Sequence, residues 1–426
     1  MSYQTLCVLG LGYIGLPTAS TFATHGLKVI GVDTNPAIVE SLNNGKVHIF
    51  EPGLRTLVQA AVHSGNLVIK DQPQPADAFI IAVPTPFKEN KLADLSFVTA
   101  AAEAITPHLK KGNLVILEST SPPRTTVDIL LPILEKSGLS AGKDFQLAYS
   151  PERVLPGQIL RELIENARVI GGINDDSAKA GKLLYSTFVR GEIFLTDATT
   201  AEMVKLMENT YRDINIAAAN EFARLADRFQ VDIWEAISLA NRHPRVEILN
   251  PGPGVGGHCI SVDPWFFVEA APDLTSLIHS ARQVNDSQPE YVVNFLERKT
   301  GKLNGKKITA LGLAYKPDVD DLRESPSIET VIHLRDAGAK VTVYEPFDTD
   351  HSIEAVISAR TLQEAVTQAD LIILLVGHSQ LKEIDPTELA KNTSARTVLD
   401  TVNGWNKQEW QKAGFSIYKL GDGKQP

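Results

Sequence analysis

The sequence contains very little cysteine, with only Cys7 and Cys259 among 426 residues. Two thiols so far apart in the chain cannot build a disulfide framework. Neither belongs to a C-x-x-C pair, and neither has histidines around it at the spacing of a metal site. We therefore expect a fold without structural disulfides and without a metal.

Long apolar runs and basic clusters are also missing. No hydrophobic stretch approaches the roughly 18 residues that a membrane helix needs, and the N-terminus has neither the basic segment nor the cleavage site of a secretory signal. A net charge of -10 without a long basic cluster argues against nucleic acid as a partner. These features predict a cytoplasmic protein that starts at its mature N-terminus, does not engage a membrane and acts on a small molecule.

The order of apolar runs and helical patterns predicts a doubly wound α/β fold. The chain is too long for one ordinary core, so two or three domains are expected. Residues 1–198 and 304–426 each alternate β-branched runs with helical stretches, which is typical of a parallel sheet covered by helices. Residues 199–303 begin with about thirty residues of uninterrupted helical periodicity, and Thr199 with Glu202 fits a capping box at the start of this long helix.

A glycine motif follows the first predicted strand. Gly10, Gly12 and Gly15 form G-x-G-x-x-G at the start of a helix, and Asp33 closes the next strand. Such glycines permit a tight turn and the approach of a pyrophosphate, while the acid accepts hydrogen bonds from ribose hydroxyls. No basic residue follows Asp33 to bind a 2′-phosphate. The motif therefore predicts a Rossmann-type site for NAD and not for NADP.

The second cysteine lies just after four glycines, in the stretch NPGPGVGGHCISVDP. Glycines allow backbone and substrate to come close to Cys259, and His258 would favour its thiolate. A thiolate can add to an aldehyde and give a thiohemiacetal, which loses a second hydride to become a thioester. Cys259 is therefore a candidate nucleophile in a four-electron oxidation, and the alternative is a buried turn residue. Cys7, inside the first strand, is expected to be a small buried hydrophobic residue.

Three further polar residues are open to two interpretations. Lys205 and Asn209 are four residues apart and share one face of the long helix. That face is either solvated or part of a site. Asp263 precedes a proline and an apolar run, so it can cap a helix, take part in catalysis, or do both.

The chain resembles the UDP-glucose/UDP-N-acetylmannosamine 6-dehydrogenase family over essentially its full length. The segments that carry the resemblance occur in the family's order: GLGYIGLPTA, AVPTPFK, LVILESTSP, SPERVLPGQ, AEMVKL with Asn209, NRHPRV, GPGVGGHC and GLAYKPDVDDLRESP. NRHPRV followed by PGPGVGGHCISVDPWF is most similar to the bacterial branch that oxidises UDP-N-acetyl-D-mannosamine for surface polysaccharides. The resemblance implies two Rossmann-like doubly wound domains joined by a long central helix and a helical dimerisation region.

The resemblance also implies the role of each predicted domain and of the catalytic residues. Residues 1–198 bind NAD, residues 199–303 carry the cysteine loop, and residues 304–426 bind the UDP-sugar. Cys259 matches the family's nucleophile, and Lys205 matches its acid/base and oxyanion-stabilising lysine. The other catalytic positions are Asn209, which contacts the same oxygen, Asp263, which orders the catalytic water, Glu152, which serves thioester hydrolysis, and Thr120, which lies near the nicotinamide.

Binding residues follow from the same resemblance. The positions matching NAD contacts are Gly10, Gly12, Tyr13, Ile14, Gly15, Asp33, Thr85, Thr120 and Arg323. The positions matching substrate contacts are Arg153, Val154, Lys205, Asn209, Arg212, His243, Arg245, Gly256, Tyr315 and Lys316. In this family the arginine at the position of Arg245 is donated across a subunit interface, which implies a homodimer built on the long helix.

The chain departs from the family's pattern in three places. After Asp400 it reads Thr-Val-Asn-Gly where the family commonly has a basic residue, Ser261 replaces a small or cyclic residue, and Pro122-Pro123-Arg124 replaces a glycine-containing turn. We expect altered affinity from these changes and no loss of chemistry.

The expected activity is oxidation of UDP-N-acetyl-D-mannosamine at C6 to the uronate, with two NAD used per turnover. The same chemistry on UDP-N-acetyl-D-glucosamine or UDP-glucose is the nearest alternative, because the sequence hardly reports the shape of a sugar pocket. A two-electron dehydrogenase of the 3-hydroxyacid or 6-phosphogluconate type would form one NADH and would not need Cys259. A non-catalytic NAD-sensing protein is a further alternative.

Overall fold

The computed structural model of the chain describes residues 3–88, 91–155, 157–257 and 259–423. The chain forms two compact units. The first contains Met1–Glu208 with Trp265–Pro272, and the second contains Asn209–Pro264 with Asp273–Pro426. Within the described ranges, no helix combines the length and the apolar character needed to cross a membrane.

The strands and helices alternate through most of the described chain. The strands are β1 (Thr5–Leu9), β2 (Lys28–Val32), β3 (Leu67–Lys70), β4 (Ala78–Ile81), β5 (Leu114–Leu117), β6 (Gln146–Tyr149), β7 (Arg168–Gly172), β8 (Ile193–Asp197), β9 (Lys307–Leu311), β10 (Lys340–Tyr344), β11 (Ile357–Ser358), β12 (Leu371–Leu374), β13 (Thr397–Asp400) and β14 (Ser416–Lys419). The α-helices are α1 (Gly15–Thr24), α2 (Pro36–Asn43), α3 (Leu54–His63), α4 (Ser96–Ile105), α5 (Leu131–Leu134), α6 (Ile159–Glu165), α7 (Asp175–Tyr185), α8 (Ala198–Phe229), α9 (Ile233–Ala240), α10 (Asp263–Ala270), α11 (Ser276–Asp286), α12 (Gln288–Thr300), α13 (Pro326–Asp336), α14 (Leu362–Val366), α15 (Ser379–Lys382), α16 (Pro386–Asn392) and α17 (Lys407–Lys412). A π-helical turn (Thr126–Leu130) precedes α5.

The sheet of the first unit has the order β3-β2-β1-β4-β5-β6-β7-β8. Its strands pair in parallel except β6 and β7, which are antiparallel. Strands β4 and β5 are buried at every position because helices cover both faces, which explains their unbroken apolar sequences. The sequence prediction overlooked β3, a short strand in which only Leu67 and Ile69 are buried.

The sheet of the second unit has the order β11-β10-β9-β12-β13-β14, with all pairs parallel. The prediction of an α/β fold with two doubly wound, Rossmann-like sheets is therefore confirmed. Strands β11 and β14 were not predicted. Both lie at an edge of the sheet, where one side of a strand stays polar and the apolar signal is weak.

The long helix α8 contains 32 residues, as its periodicity predicts, but the predicted capping box is wrong. Asp197 caps the helix instead, and its carboxylate accepts from the backbone N–H (2.9 Å) and the hydroxyl (2.6 Å) of Thr200. Glu202 is buried and points elsewhere. Its carboxylate accepts from the backbone N–H groups of Arg124 (2.5 Å) and Thr126 (2.8 Å) and thereby caps the π-helical turn.

Candidate active site

The glycine loop between β1 and α1 is shaped by close approach of backbone. Gly10 has φ of +89°, and a Cβ atom there would lie 2.5 Å from the carbonyl oxygen of Ala82. A Cβ atom at Gly15 would lie 1.8 Å from the carbonyl oxygen of Gly10. Gly12 differs, because no described atom lies within 4 Å of its Cβ position. Its exposed backbone leaves room for a pyrophosphate to approach.

The first turn of α1 presents backbone N–H groups to an anion. The helix begins after Tyr13 and Ile14, and its N-cap position makes no side-chain capping bond. Asp33 follows β2, and its carboxylate accepts from the backbone N–H groups of Leu11 (3.0 Å) and Asn35 (2.9 Å). These bonds fix a half-buried carboxylate whose remaining lone pairs can accept ribose hydroxyls. The residues of this loop therefore fit NAD.

Two more predicted cofactor positions lie in loops after neighbouring strands. Thr85 lies after β4 and Thr120 lies after β5, and both are half-buried. The hydroxyl of Ser119 donates to the carbonyl oxygen of Val83 at 2.7 Å and ties the two loops together. The strand order reverses between β1 and β4, and the carboxyl edge at such a point is where doubly wound sheets bind ligands.

The loop after β6 carries a buried acid. One carboxylate oxygen of Glu152 lies 2.6 Å from the guanidinium of Arg168, and the other accepts the backbone N–H of Arg153 at 2.7 Å. The guanidinium of Arg153 is half-buried and pairs with Glu208 of α8 at 2.5 Å. Val154 packs against the apolar core on one face of the sheet. The predicted catalytic acid and two predicted substrate contacts therefore belong to one restrained segment.

Sequence reasoning missed a buried ion pair behind this segment. Glu118 directly follows β5 and Arg168 begins β7, and the pair is 3.2 Å apart and almost fully buried. Burial raises the pKa of Glu118 to about 7, although attraction to Arg168 opposes the rise and repulsion from Glu152 adds to it. The sequence offers one signal for this ion pair, because a charged residue borders each of the two apolar strands.

Glu51 was also missed. It is buried, and its carboxylate accepts from the backbone N–H groups of Gly157 (2.7 Å) and Ile159 (2.8 Å). These bonds cap the start of α6 and restrain the far end of the loop that carries Glu152. A glutamate in EPGL gives no hint in the sequence that its partners lie about a hundred residues further along.

The two thiols have opposite environments. Cys7 is fully buried, as predicted, and burial raises the pKa of its thiol to about 11. Cys259 is exposed, so the interpretation of a buried turn residue is wrong. Its carbonyl oxygen accepts from the backbone N–H groups of Val262 (3.0 Å) and Asp263 (2.8 Å), which begins the turn that leads into α10. The predicted helper, His258, lies outside the described residues.

The glycines before Cys259 let the loop lie against residues of the second sheet's first loop. Gly257 has φ of +84°, and a Cβ atom there would lie 2.7 Å from the ring of Tyr315. A Cβ atom at Gly256 would lie 2.3 Å from the carbonyl oxygen of Glu324. The backbone N–H of Gly257 donates to the carbonyl oxygen of Arg323 at 3.2 Å. Predicted residues that are far apart in the sequence therefore meet within one unit.

Lys205 and Asn209 are both 8% exposed, so the interpretation of a solvated helix face is wrong. The side-chain amide of Asn209 donates to the carboxylate of Asp263 at 2.6 Å. Asp263 is also the first residue of α10, which agrees with the view that its two roles are compatible. The structure thereby joins one residue of the long helix to the segment that carries the thiol.

Other predicted substrate residues lie at the surface of the chain. Arg212, His243 and Arg245 are exposed, and the backbone N–H of Arg245 donates to the ring of His243 at 3.3 Å. Lys316 is half-buried, and Arg323 pairs with Asp321 at 2.6 Å.

A basic residue lies beside the segment where the family's usual one is missing. Asn403 has φ of +54°, and its side-chain oxygen accepts from the ammonium of Lys419 at 2.5 Å. Lys419 ends β14, the strand next to β13, so the sheet brings the two residues together. The sequence could not indicate this neighbour, because β14 was not predicted.

The fold and the glycine loop define an NAD-dependent dehydrogenase. Residues 4–189 match the NAD binding domain of the UDP-glucose/GDP-mannose dehydrogenase family, residues 199–287 match its central domain, and residues 309–407 match its UDP binding domain. The chain belongs to the UDP-glucose/GDP-mannose dehydrogenase family.

Individual relatives resemble the chain over nearly its whole length. A UDP-N-acetyl-D-mannosamine dehydrogenase of Methanocaldococcus jannaschii is 49% identical, over 99% of this chain and 97% of the relative. An NDP-N-acetyl-D-galactosaminuronic acid dehydrogenase of Ralstonia nicotianae is 46% identical, over 95% and 97%. The solved structure of a UDP-D-ManNAc dehydrogenase from Pyrococcus horikoshii has a TM-score of 0.91 at 39% identity, and covers 98% of this chain and 99% of that one.

Proposed function

We propose that the chain oxidises the C6 alcohol of UDP-N-acetyl-D-mannosamine to the carboxylate, as a step in the synthesis of a surface polysaccharide. The observation that carries the chemistry is the exposed thiol of Cys259 on a glycine-rich loop. The 49% identity to a relative named for this substrate supports the choice of sugar. One water and two NAD are consumed per sugar, and two NADH and three protons are formed.

In the first oxidation, Lys205 takes the proton of the C6 hydroxyl and Asn209 donates a hydrogen bond to the same oxygen. Both side chains are buried, and a charge that develops in such a site is stabilised more strongly than in water. NAD, when bound, supplies the acceptor for the hydride that leaves C6. Lys205 and Asn209 thus stabilise the alkoxide character of the carbon–oxygen bond as the aldehyde forms.

The thiolate of Cys259 then adds to the aldehyde carbon, and Lys205 returns its proton to the new alkoxide, which gives a thiohemiacetal. A second NAD, when bound, would supply the acceptor for another hydride from the same carbon, and Lys205 takes the hydroxyl proton, which leaves a thioester. Water attacks the thioester carbon, the carbon–sulfur bond breaks and the thiolate leaves. Asp263 orders that water and Glu152 accepts one of its protons. The released carboxylic acid ionises.

The diphosphate of the substrate needs cationic partners. Arg153 and Lys316 are half-buried, and Arg212 is exposed. A guanidinium can bind a phosphate through two parallel hydrogen bonds. We assign these three residues to the phosphates and the sugar. Lys419, beside Asn403, supplies positive charge near the segment where the family's usual basic residue is missing.

The proposal includes a homodimer in which Arg245 completes the neighbouring site. An exposed apolar strip follows the end of α8 and reaches α9, and its exposed side chains are Phe222, Leu225, Phe229, Val231 and Leu239. It borders a groove of about 290 Å³ whose lining is almost wholly apolar. Such a strip favours a second copy of the chain as its occupant, because two identical apolar faces cover each other.

Mixed dimers test the shared site. Arg245→Ala and Lys205→Ala are each expected to abolish turnover, and mixing the two variants should restore part of it because one site of the mixed dimer is intact. Phe229→Glu should shift the chain to monomers in light scattering and remove activity. A fully active monomer would contradict the shared site.

A panel of sugar nucleotides tests the substrate. The purified chain, NAD and UDP-N-acetyl-D-mannosamine should give NADH faster than the glucosamine, galactosamine or glucose counterparts. A clear preference for another sugar would overturn the substrate and leave the chemistry intact. One NADH per sugar, with full activity in Cys259→Ala, would point to a two-electron dehydrogenase, and no hydride transfer would point to an NAD sensor.

We propose that the reaction takes place in the cytoplasm. Neither Cys7 nor Cys259 forms a disulfide, and reduced thiols persist in a reducing compartment. Fractionation of cells that produce the chain, followed by immunodetection, would test this location. Recovery in an extracellular fraction would contradict it.

A further inference from the structure

A buried cluster of three charges lies behind the loop that carries Glu152. The guanidinium of Arg168 reaches Glu152 at 2.6 Å with one nitrogen and Glu118 at 3.2 Å with another. The side chains of these three residues are 5%, 8% and 0% exposed, in the order Arg168, Glu152 and Glu118. The cluster contains one cation and two carboxylates in a place that solvent hardly reaches.

The antiparallel pairing of β6 and β7 explains why these residues meet. Ala148 pairs with Gly172 and Tyr149 with Gly171. Continuing the same register beyond β6 places Arg168 opposite Glu152. A parallel β7 would have carried its first residue to the other edge of the sheet.

Each member of the cluster is held by further partners. Arg168 donates to the hydroxyl of Ser150 at 3.1 Å, and its guanidinium lies over the ring of Tyr185, 4.2 Å from the ring centre. The hydroxyl of Tyr185 donates to Glu118 at 2.7 Å. Thr18 of α1 donates to the second carboxylate oxygen of Glu118 at 3.4 Å. Arg168 therefore has one defined orientation.

We propose that Arg168, anchored by Glu118, is a positioning residue that orients Glu152 for hydrolysis of the thioester. The inference rests on the proposed function, because that function gives Glu152 its task. Arg168 fixes one oxygen of Glu152, and the backbone N–H of Arg153 fixes the other at 2.7 Å. A carboxylate restrained at both oxygens presents its remaining lone pairs in one direction, which is what a proton acceptor for water requires.

A purely structural role accounts less well for this arrangement. A buried ion pair contributes little net stability, because removing the charges from water offsets most of their attraction. This cluster also contains one more carboxyl group than it has cations. Unlike Glu51 or Glu202, which accept from backbone N–H groups and cap helices, Glu118 accepts from the side chains of Thr18, Arg168 and Tyr185. Its partners lead through Arg168 to a proposed catalytic group.

Arg168→Lys provides the first test. Lysine keeps the charge but lacks the planar fork that reaches both carboxylates. With UDP-N-acetyl-D-mannosamine and NAD, the variant should form two NADH per site in a rapid phase and then turn over about 100-fold more slowly than the unaltered chain. Intact mass spectrometry should detect the sugar bound to the protein through Cys259. Arg161→Lys, the same change in an exposed pair with Glu165, should match the unaltered chain.

Glu118→Gln keeps the shape of the side chain. It provides a second test in case Arg168→Lys does not fold. It should slow hydrolysis about tenfold, again with a rapid phase and accumulation of the thioester. If a folded Glu118→Gln or Arg168→Lys slows both NADH-forming steps and hydrolysis equally, or accumulates no adduct, the positioning role is wrong. If the unaltered chain forms no NADH from any UDP-sugar, the proposed function has failed and not this inference alone.

Discussion

The two sheets share one topology and have different chemistry at the same place. Strands β3-β2-β1-β4-β5-β6 of the first and β11-β10-β9-β12-β13-β14 of the second have the same order. In both, a glycine with positive φ follows the first strand, Gly10 at +89° and Gly312 at +86°. In both, the backbone N–H of that glycine donates to the last residue of the neighbouring strand, at 2.8 Å and 2.9 Å.

The sequences diverge at the second residue after that glycine. The first loop reads GLGYIG and leads straight into α1, whereas the second reads GLAYKP and is followed by a longer loop before α13. Ala314 stands where Gly12 stands in the first sheet, and a proline replaces Gly15. The second sheet therefore lacks both the open backbone and the adjacent helix start that a dinucleotide pyrophosphate needs.

The acids after the second strand of each sheet differ in the same sense. Asp33 is half-buried with capacity for ribose hydroxyls, whereas Glu345 is fully buried. Glu345 accepts from the backbone N–H groups of Leu313 (2.7 Å) and Ala314 (3.0 Å) and from the ring of His378 (3.1 Å). Both acids accept from the loop after the first strand, but only the first is exposed enough to accept from a ligand as well. Strand order thus predicts where a ligand can bind, and the loop residues determine which ligand.

The largest expected effect is on the pH dependence of the stability of the first unit. Because burial raises the pKa of Glu118 to about 7, the stability connected with this group is full below about pH 4.5 and is lost as the pH rises through 7. The loss is about 3 kcal/mol. Thermal unfolding of the unaltered chain and of Glu118→Gln measures this loss of stability. The measurement is made at roughly pH 5 and roughly pH 8, which bracket the titration of Glu118.

The groups that face Glu118 are Thr18 of α1, Glu152 after β6, Arg168 of β7 and Tyr185 of α7. None is altered in Glu118→Gln, so the variant isolates this carboxyl. As the pH rises, the melting temperature of Glu118→Gln should increase relative to that of the unaltered chain. An unchanged difference at the two pH values would contradict the assignment.

Glu345 of the second sheet should respond to pH in the opposite direction. Burial alone would raise the pKa of Glu345, but hydrogen bonds from His378 and from backbone N–H groups lower it below its usual value. Its stabilising contribution is therefore present above about pH 4.5 and is lost as the pH falls through the lowered pKa. Unfolding of the chain and of Glu345→Gln near pH 3 and pH 6, followed by a probe in the second unit, would compare the two sheets.

Gly12→Ala sharpens the difference between the two loops. No described atom is close to the new methyl group, so unfolding should change little, whereas the approach of the pyrophosphate is blocked. NAD affinity should fall about 100-fold, or about 2.7 kcal/mol. The matched change in the second loop, Ala314→Gly, should leave NAD affinity unchanged. Calorimetric titration with NAD would measure both, and equal losses would contradict the distinction.

The smallest expected effects come from exchanging the two acids for amides. Asp33→Asn should weaken NAD binding about tenfold, and should reduce the preference for NAD over NADP because one negative charge near the 2′-position is removed. Glu345→Gln should cost about 1–3 kcal/mol of stability with no change in NAD affinity. Loss of NAD affinity in Glu345→Gln would show that the second loop contributes more than we assign to it.

Local patterns predicted most of the fold. Unbroken apolar runs gave the central strands, the glycine spacing gave the first loop, and the long periodic stretch gave α8. Edge strands were missed because they are short and few of their residues are buried, Leu67 and Ile69 in β3 and Ile417 in β14. The wrong capping box for Glu202 has another cause, since its partners at Thr126 and Arg124 are brought close only by the fold.

The candidate site also contains residues that local patterns predicted and residues that they did not. Cys259 could be predicted as a candidate nucleophile from its glycines and its chemistry, and its exposure removed the interpretation of a buried turn residue. The partners of Glu152 could not be identified, because Arg168 reaches it only through the antiparallel pairing of β6 and β7. Lys419 was hidden for a similar reason, since its neighbour Asn403 lies on an adjacent strand's loop. Pairings between distant segments depend on strand order, which no local pattern reports.

The stoichiometry of NADH in the unaltered chain and in Cys259→Ser tests the central claim most directly. The account predicts two NADH per UDP-N-acetyl-D-mannosamine consumed, stalled turnover in Cys259→Ser, and two NADH again in the control Cys7→Ala, whose thiol lies inside a strand. A single NADH per sugar, or undiminished release of uronate by Cys259→Ser, would contradict it.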